Sequence, residues 1–202
     1  MNTINKEVTS KHLAHLGIIA GVIKKVGLID KINNLLPKTS NNKKISNGQS
    51  AAAMILNGLG FTERRLYMVN HFFSNKPVEK YLGEGVSAKD LNDDTLGRTL
   101  DKIYEYGTTK LYSELAFEIG AEQGLLGKGA HLDTSTISVT GQYDENETEV
   151  KITHGYSKDH RNDLKQLTLS LTTTGESNFP IWMEPLVVIV LTKQAFIRQL
   201  KV

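Results

Sequence analysis

The chain has 202 residues, of which 39% are hydrophobic and 23% are charged, as is typical of a globular protein with a buried core. It contains no cysteine, which excludes disulfides, thiolate zinc sites and cysteine nucleophiles. No apolar run reaches the roughly 20 residues needed to cross a bilayer, and the N-terminus lacks the apolar segment of a signal peptide. Composition therefore predicts a cytoplasmic protein with no membrane partner.

The net charge of +2 conceals an uneven distribution along the chain. Residues 1–50 hold eight lysines and two acids, whereas residues 51–186 hold thirteen bases and twenty acids. Residues 187–202 hold three bases and no acid. A basic N-terminal part favours contact with nucleic acid. On charge alone, a solvated helical surface is the simpler interpretation.

The first 127 residues carry the apolar spacing of helices. Apolar side chains recur every three or four positions over 12–36, with Gly27 as a break between two helices and Pro37 as the end. Further helices are predicted over 46–59, 62–73, 76–82, 95–106 and 108–123. Asp93 and Asp94 are interpreted as acids at a helix start rather than as a catalytic pair. The side chains predicted to face inward on the last two helices are Leu96, Leu100, Ile103, Leu111, Leu115, Phe117 and Ile119.

After Gly124 the pattern changes to that of strands. Strands are predicted over 129–139, 149–154, 165–174 and 179–186, with a turn at 175–178. In the third strand the alternation places Leu167, Leu169 and Leu171 on one face. Asp133 lies within the first strand, where a carboxylate is unfavourable unless it has a metal, a cation or several donors as a partner. The alternative is that Asp133 is an ordinary turn residue.

Three stretches together resemble the start of the catalytic domain of insertion-sequence transposases of the DDE class. They are H-L-D-T-S-T-I-S at 131–138, H-G-Y-S-K-D-H-R-N-D-L-K-Q at 154–166 and L-T-L-S-L-T-T-T-G-E-S-N-F-P-I-W-M-E-P-L at 167–186. The helical region before them resembles the N-terminal domain of one such group, often known only as a domain of unknown function. The resemblance covers roughly residues 8–186.

This resemblance implies an α+β fold in two parts. An all-helical domain for DNA binding or dimerisation is expected over residues 1–127. An incomplete RNase H-like β-meander is expected over residues 128–186. Residues 187–202 do not continue the family pattern, and a frameshift after about Leu186 is the hypothesis for this tail. The alternative is a genuine further strand and a short helix.

The resemblance also implies that Asp133 is the first catalytic carboxylate and a Mg²⁺ ligand. Phosphoryl transfer at DNA uses two divalent ions about 4 Å apart, and Mg²⁺ prefers hard oxygen ligands. In the family, the second Asp and the Glu lie further along a longer chain, beyond the last residue of this sequence. Asp133 is then the one carboxylate of the three that this chain supplies. This protein, a DDE transposase by resemblance, is therefore expected not to cut DNA alone.

A basic cluster follows the acidic turn or hairpin tip that is predicted over 141–149. The resemblance places Lys158, Arg161 and Lys165 near the active site, where they would contact DNA phosphates. The alternative is a solvated loop in which Asp159 and Asp163 neutralise the bases. The family often has a proline where this chain has Asn162.

Three functions follow from these patterns. The first is a transposase fragment that acts in DNA transposition and is inactive alone. The second is a DNA-binding or dimerising helical module that regulates a full-length transposase. The third is a helical interaction protein with no nucleic-acid role. The expected partners of the first two are the DNA of transposon ends and either a second copy or a full-length transposase.

Overall fold

The computed structural model describes residues 10–37, 44–61, 64–141, 152–154 and 163–186. This part of the chain is α+β, with seven α-helices followed by a four-stranded antiparallel sheet, which confirms the predicted class. The chain divides into two compact units, Met1–Gly107 and Thr108–Val202. The boundary predicted at residue 127 marks the change from helical to strand patterning, whereas the units divide after Gly107. The last helix is therefore grouped with the strands.

The element bounds follow the sequence patterns closely. The helices of the first unit are α1 (Leu16–Lys25), α2 (Leu28–Leu35), α3 (Asn47–Gly58), α4 (Val69–Phe73), α5 (Val78–Leu82) and α6 (Asp93–Tyr106), with 3₁₀ turns at Leu66–Met68 and Ala88–Asp90. The second unit contains α7 (Thr108–Glu122), β1 (Ala130–Val139), β2 (Thr153–His154), β3 (Lys165–Thr174) and β4 (Pro180–Leu186). The helix predicted over 62–73 is the main difference, because it becomes α-helical only at Val69. Its predicted start at Thr62 lies outside the described residues.

Side-chain caps and one glycine explain where three helices of the first unit begin, namely α2, α3 and α6. Gly27 has φ +65°, a left-handed conformation that glycine adopts without strain, and it separates α1 from α2 as predicted. Ser46 Oγ accepts the N–H of Gln49 at 3.2 Å, while Gln49 Oε1 accepts the N–H of Ser46 at 2.8 Å. This reciprocal pair satisfies two donors that a helix start leaves unpaired. At the start of α6, Asn92 Oδ1 accepts the N–H of Thr95 at 2.9 Å and satisfies one such donor.

The first unit has its own hydrophobic core. Ala52 and Ala53 of α3 are fully buried, so neighbouring elements approach that helix closely. The largest apolar side chains that are almost fully buried are Leu16, Leu56, Val69, Phe73, Leu91 and Leu96. Leu100 was predicted to face inward but is 44% exposed, because α6 buries Leu96 and Thr99 instead. No helix of the described residues is long and apolar enough to span a membrane.

In the second unit, α7 packs against β4 through small side chains. Ala116 and Gly120 are buried, and a Cβ on Gly120 would lie 2.7 Å from the Leu126 side chain and 3.1 Å from the Phe179 ring. Phe117 was predicted to face inward but is 46% exposed. The prediction is wrong for Phe117 because the helix buries Leu111, Ser113, Ala116 and Gly120 instead.

The 3₁₀ turn Ala88–Asp90 is held by the carboxylate of Asp90. Its Oδ2 accepts hydrogen bonds from the N–H of Ser87 at 2.8 Å and from the Ser87 hydroxyl at 2.5 Å. Lys44 Nζ lies 2.9 Å from the same oxygen. Burial raises the pKa of Asp90, but the hydrogen bonds from Ser87 and Lys44 together outweigh burial and leave the pKa below its usual value.

We therefore expect acid to weaken the first unit through Asp90. Because its pKa is lower in the folded chain, its contribution is fully present above the unfolded pKa of about 4 and is lost as the pH falls through the folded value. Urea denaturation, followed by circular dichroism, should show Asp90→Asn to be less stable than wild type at neutral pH. The difference should narrow as the medium is acidified. A difference that is constant with pH would contradict the assignment.

Candidate functional site

Strand β3 is the centre of the sheet and fixes the position of every other strand. It pairs antiparallel with β1 over its full length, and with β2 and β4 over shorter stretches. The alternating β3 sequence gives ten consecutive partners to β1, from Lys165 opposite Val139 to Thr174 opposite Ala130. This register decides which side chains share a face, because directly opposite residues point to the same side.

The turn between β3 and β4 ties this register to the start of β1. The N–H of Gly175 donates to the carbonyl of Gly129 at 2.7 Å. The hydroxyl of Ser177 donates to the carbonyl of Leu125 at 2.7 Å, and Thr174 Oγ1 accepts the N–H of Phe179 at 3.0 Å. The turn predicted at 175–178 is thus present, and it holds the chain that leads into β1.

Asp133 lies in the first half of β1 with its side chain exposed. It is opposite Leu171, which in turn is opposite Met183, so these three residues lie on one face of the sheet. Its Oδ1 accepts the N–H of the next residue, Thr134, at 2.7 Å. That local bond leaves the other carboxylate oxygen accessible. Asp133 is thus a strand residue rather than a turn residue, with an oxygen available to a ligand.

No second carboxylate of the described strands shares the face of Asp133. Among the strand residues that the structure describes, the other carboxylate is Glu184. It is opposite Ser170, which is opposite Thr134, so Glu184 lies on the other face of the sheet. No group of three or more His, Asp or Glu side chains suited to a metal ion occurs in the described ranges. Asp133 suits Mg²⁺ as a single hard ligand, but these residues alone do not fit a two-metal centre.

Of the three basic residues predicted to contact DNA, the structure describes Lys165, which lies far from Asp133. Lys158 and Arg161 lie outside the described residues. Lys165 begins β3, is half-buried and lies opposite Val139 and His154. It shares the face of Asp133, but it is six residues along β3 from Leu171, a separation of about 20 Å. Lys165 and Asp133 are therefore too far apart to contact the same phosphate group.

The more deeply buried face of β3 carries polar side chains. Leu167, Leu169 and Leu171 share one face as predicted, yet they are only half-buried. The fully or almost fully buried residues of this strand lie on the opposite face and are Gln166, Thr168, Ser170 and Thr174. Thr168 Oγ1 and Trp182 Nε1 are buried without a hydrogen-bond partner in the described part of the chain. The sequence did not indicate this, because alternation separates two faces without showing which one is covered.

Fold and site together define an α+β protein in which a helical unit precedes an antiparallel sheet, with an accessible carboxylate on its first strand. The chain belongs to the family defined by DUF4277, a domain of unknown function, which matches residues 8–117. The match covers the helices of the first unit and the first part of α7. No curated protein and no solved structure matches the chain.

Proposed function

We propose that this chain is part of an insertion-sequence transposase of the DDE class, which acts in DNA transposition by metal-dependent phosphoryl transfer. Asp133 would be the first of the metal-binding carboxylates of that enzyme. The observation that carries the proposal is the exposed side chain of Asp133 on the first long strand of an antiparallel sheet. A carboxylate that is accessible in that position is free to bind a hard cation such as Mg²⁺.

The strand arrangement supports the finer fold assignment as an RNase H-like start. β1, β3 and β4 are neighbours in that order and all are antiparallel. They coincide with the stretches at 131–138 and 167–186 that resemble the transposase catalytic domain. The family match over residues 8–117 covers the part that resembles the N-terminal domain of the same group.

The chain by itself is proposed to be inactive in DNA cleavage. Two Mg²⁺ ions repel one another and hold their water strongly, so a single carboxylate does not bind the pair. The described strand residues offer Asp133 without a second carboxylate on its face of the sheet. Mg²⁺ is therefore a cofactor of the complete enzyme, and this chain would bind it weakly.

A DNA-binding or dimerising module that regulates a full-length transposase is the second candidate. The observation that favours it is the separate core of the first unit, which is built from its own helices. The family match falls almost entirely on this unit. Such a module needs no catalytic carboxylates. It would act by occupying transposon ends or by pairing with the full-length protein.

Two assays on the whole chain test these proposals. Fluorescence anisotropy should show salt-dependent binding to DNA taken from both sides of the gene, and tighter binding than to shuffled DNA of the same composition, because phosphate contacts release counterions. Incubation of supercoiled plasmid with Mg²⁺ should show no nicking above background. Asp133→Ala should match wild type in both assays.

Each result has a defined consequence. Mg²⁺-dependent nicking that is lost in Asp133→Ala would disprove the inactivity of the chain. Equal binding to flanking and shuffled DNA would remove recognition of transposon ends. No binding even at low salt would disprove the DNA role of both candidates and leave an interaction protein.

A further inference from the structure

The helical unit contains a basic cleft of about 640 Å³. It lies between the segment before α1, the helix α5 and the 3₁₀ turn Ala88–Asp90. Four lysines and one carboxylate line it, which gives a net formal charge of +3. These residues are Lys11, Lys76, Lys80, Lys89 and Glu79. No arginine lines the cleft in the described part of the chain.

Hydrogen bonds hold Lys11 beside lysines that are distant in the sequence. The N–H of His12 donates to the carbonyl of Asn75 at 3.2 Å. The hydroxyl of Tyr81 donates to the carbonyl of Leu13 at 2.6 Å, across 68 positions of the chain. Tyr81 is 4% exposed and belongs to the core of the unit, so its position is fixed by packing. The position of Lys11 at the cleft is therefore built into the fold.

Three of the four ammonium groups are available to a ligand. Lys11, Lys80 and Lys89 are exposed, and none forms an ion pair with another described residue. Lys76 differs, because its Nζ donates to the carbonyl of Phe72 at 2.6 Å and lies 3.9 Å from the centre of the Phe72 ring. Lys76 thus forms part of the wall and adds its charge to the field of the cleft.

The neighbouring carboxylates are occupied by other contacts. Glu79 Oε1 accepts the N–H of Gly85 at 3.2 Å. Asp90, next in sequence to Lys89, accepts hydrogen bonds from Ser87 and pairs with Lys44. Lys44 balances the charge of Asp90, whereas Glu79 keeps its negative charge and is already counted in the net charge of +3. The cleft therefore presents a net positive charge.

We propose that this cleft binds the phosphodiester backbone of DNA. The inference rests on the proposed role in DNA transposition and assigns a contact surface to the helical unit. Lysine is a point charge on a flexible stem, so several lysines around one cleft adapt to the spacing of successive phosphates. Contacts of this kind position DNA without reading its sequence. The cleft would supply affinity, and sequence recognition would come from elsewhere.

The test is the triple variant Lys11→Gln, Lys80→Gln, Lys89→Gln of the whole chain, with a fluorescein-labelled duplex of unrelated sequence as the probe. Each lost phosphate contact lowers the slope of log affinity against log salt by about 0.9. We expect the slope to fall by about two to three and the affinity to fall at least about tenfold at low salt. The corresponding triple arginine variant keeps the charges and should keep the slope.

A matched control removes the same charge elsewhere. The control is the triple variant Lys24→Gln, Lys25→Gln, Lys128→Gln, whose three lysines are exposed and lie outside the cleft. It should keep most of the wild-type slope. Circular dichroism melting of all variants separates lost binding from lost folding. Equal losses of salt slope and DNA affinity in the cleft and control variants would disprove DNA binding by the cleft and leave the proposed DNA role of the chain intact.

Two further outcomes would also overturn the assignment. If wild type binds no DNA at low salt, both the cleft assignment and the proposed DNA function fail. If polyglutamate displaces the duplex as well as unlabelled DNA does at equal charge, the cleft is a site for an acidic protein segment.

Discussion

Gly48→Ala should destabilise the helical unit more than any other single-methyl addition to α3. A Cβ at this position would lie 2.1 Å from the carbonyl oxygen of Ile29 and 2.8 Å from its carbon. Those are backbone atoms of α2, which cannot move aside as a side chain can. The two helices would have to separate. We expect a loss of about 3–5 kcal/mol, because overpacking is combined with a broken hydrogen bond.

The hydrogen bond that Gly48→Ala would break helps to join α2 to α3. The N–H of Gly48 donates to Asn33 Oδ1 at 2.8 Å, and the side chain of Asn47 donates to the carbonyl of Pro37 at 2.8 Å. Both require the start of α3 to lie against the end of α2. Asn47 is 2% exposed, so a lost partner there would leave a buried polar group unpaired.

Gly58→Ala is the matched control for this prediction. Gly58 ends the same helix, and a Cβ there would meet nothing within 4 Å. Alanine is the better helix former, so this change should be neutral or stabilise by up to about 1 kcal/mol. Thermal melting followed by circular dichroism compares the two variants. A Gly48→Ala midpoint equal to that of Gly58→Ala would contradict the close contact.

The sequence predicted the elements well because their signals are local. Gly27, the Ser46–Gln49 pair and Asn92 act within one turn of their own position, and each marks a boundary in the structure. Burial was less predictable because it depends on distant parts of the chain. Phe117 and Leu100 have the apolar character of core residues, yet the packing of α7 and α6 leaves both exposed.

The candidate sites show the same division. That Asp133 would lie on a strand could be predicted from its β-branched neighbours. Its face, its separation from Lys165 and its relation to Glu184 required the register of three strands. The basic cleft was not predictable, because Lys11 is brought to it by bonds to Asn75 and Tyr81. The other lysines of the cleft lie in a stretch whose net charge is negative.

Phe73→Ala is the second substitution that we expect to destabilise the helical unit strongly, after Gly48→Ala. Its side chain is 0% exposed and packs edge-on against Phe72, with ring centres 4.9 Å apart, and against Tyr81 at 6.5 Å. Truncation removes buried apolar area and leaves a cavity, which together cost about 3–5 kcal/mol. Urea denaturation followed by circular dichroism measures this loss. Phe73→Leu keeps much of the volume and should lose less.

Phe61→Ala is the control, because it makes the same chemical change where the ring is 87% exposed. Phe61 contacts the His15 ring at 4.0 Å between centres, and its removal should cost less than about 1 kcal/mol. Phe73 also lines the lysine cleft and supports Tyr81, which holds the segment that carries Lys11. Phe73→Leu should therefore weaken DNA binding at temperatures where the unit remains folded, whereas Phe61→Ala should not. Equal stability losses in Phe73→Ala and Phe61→Ala would refute the core that supports this cleft.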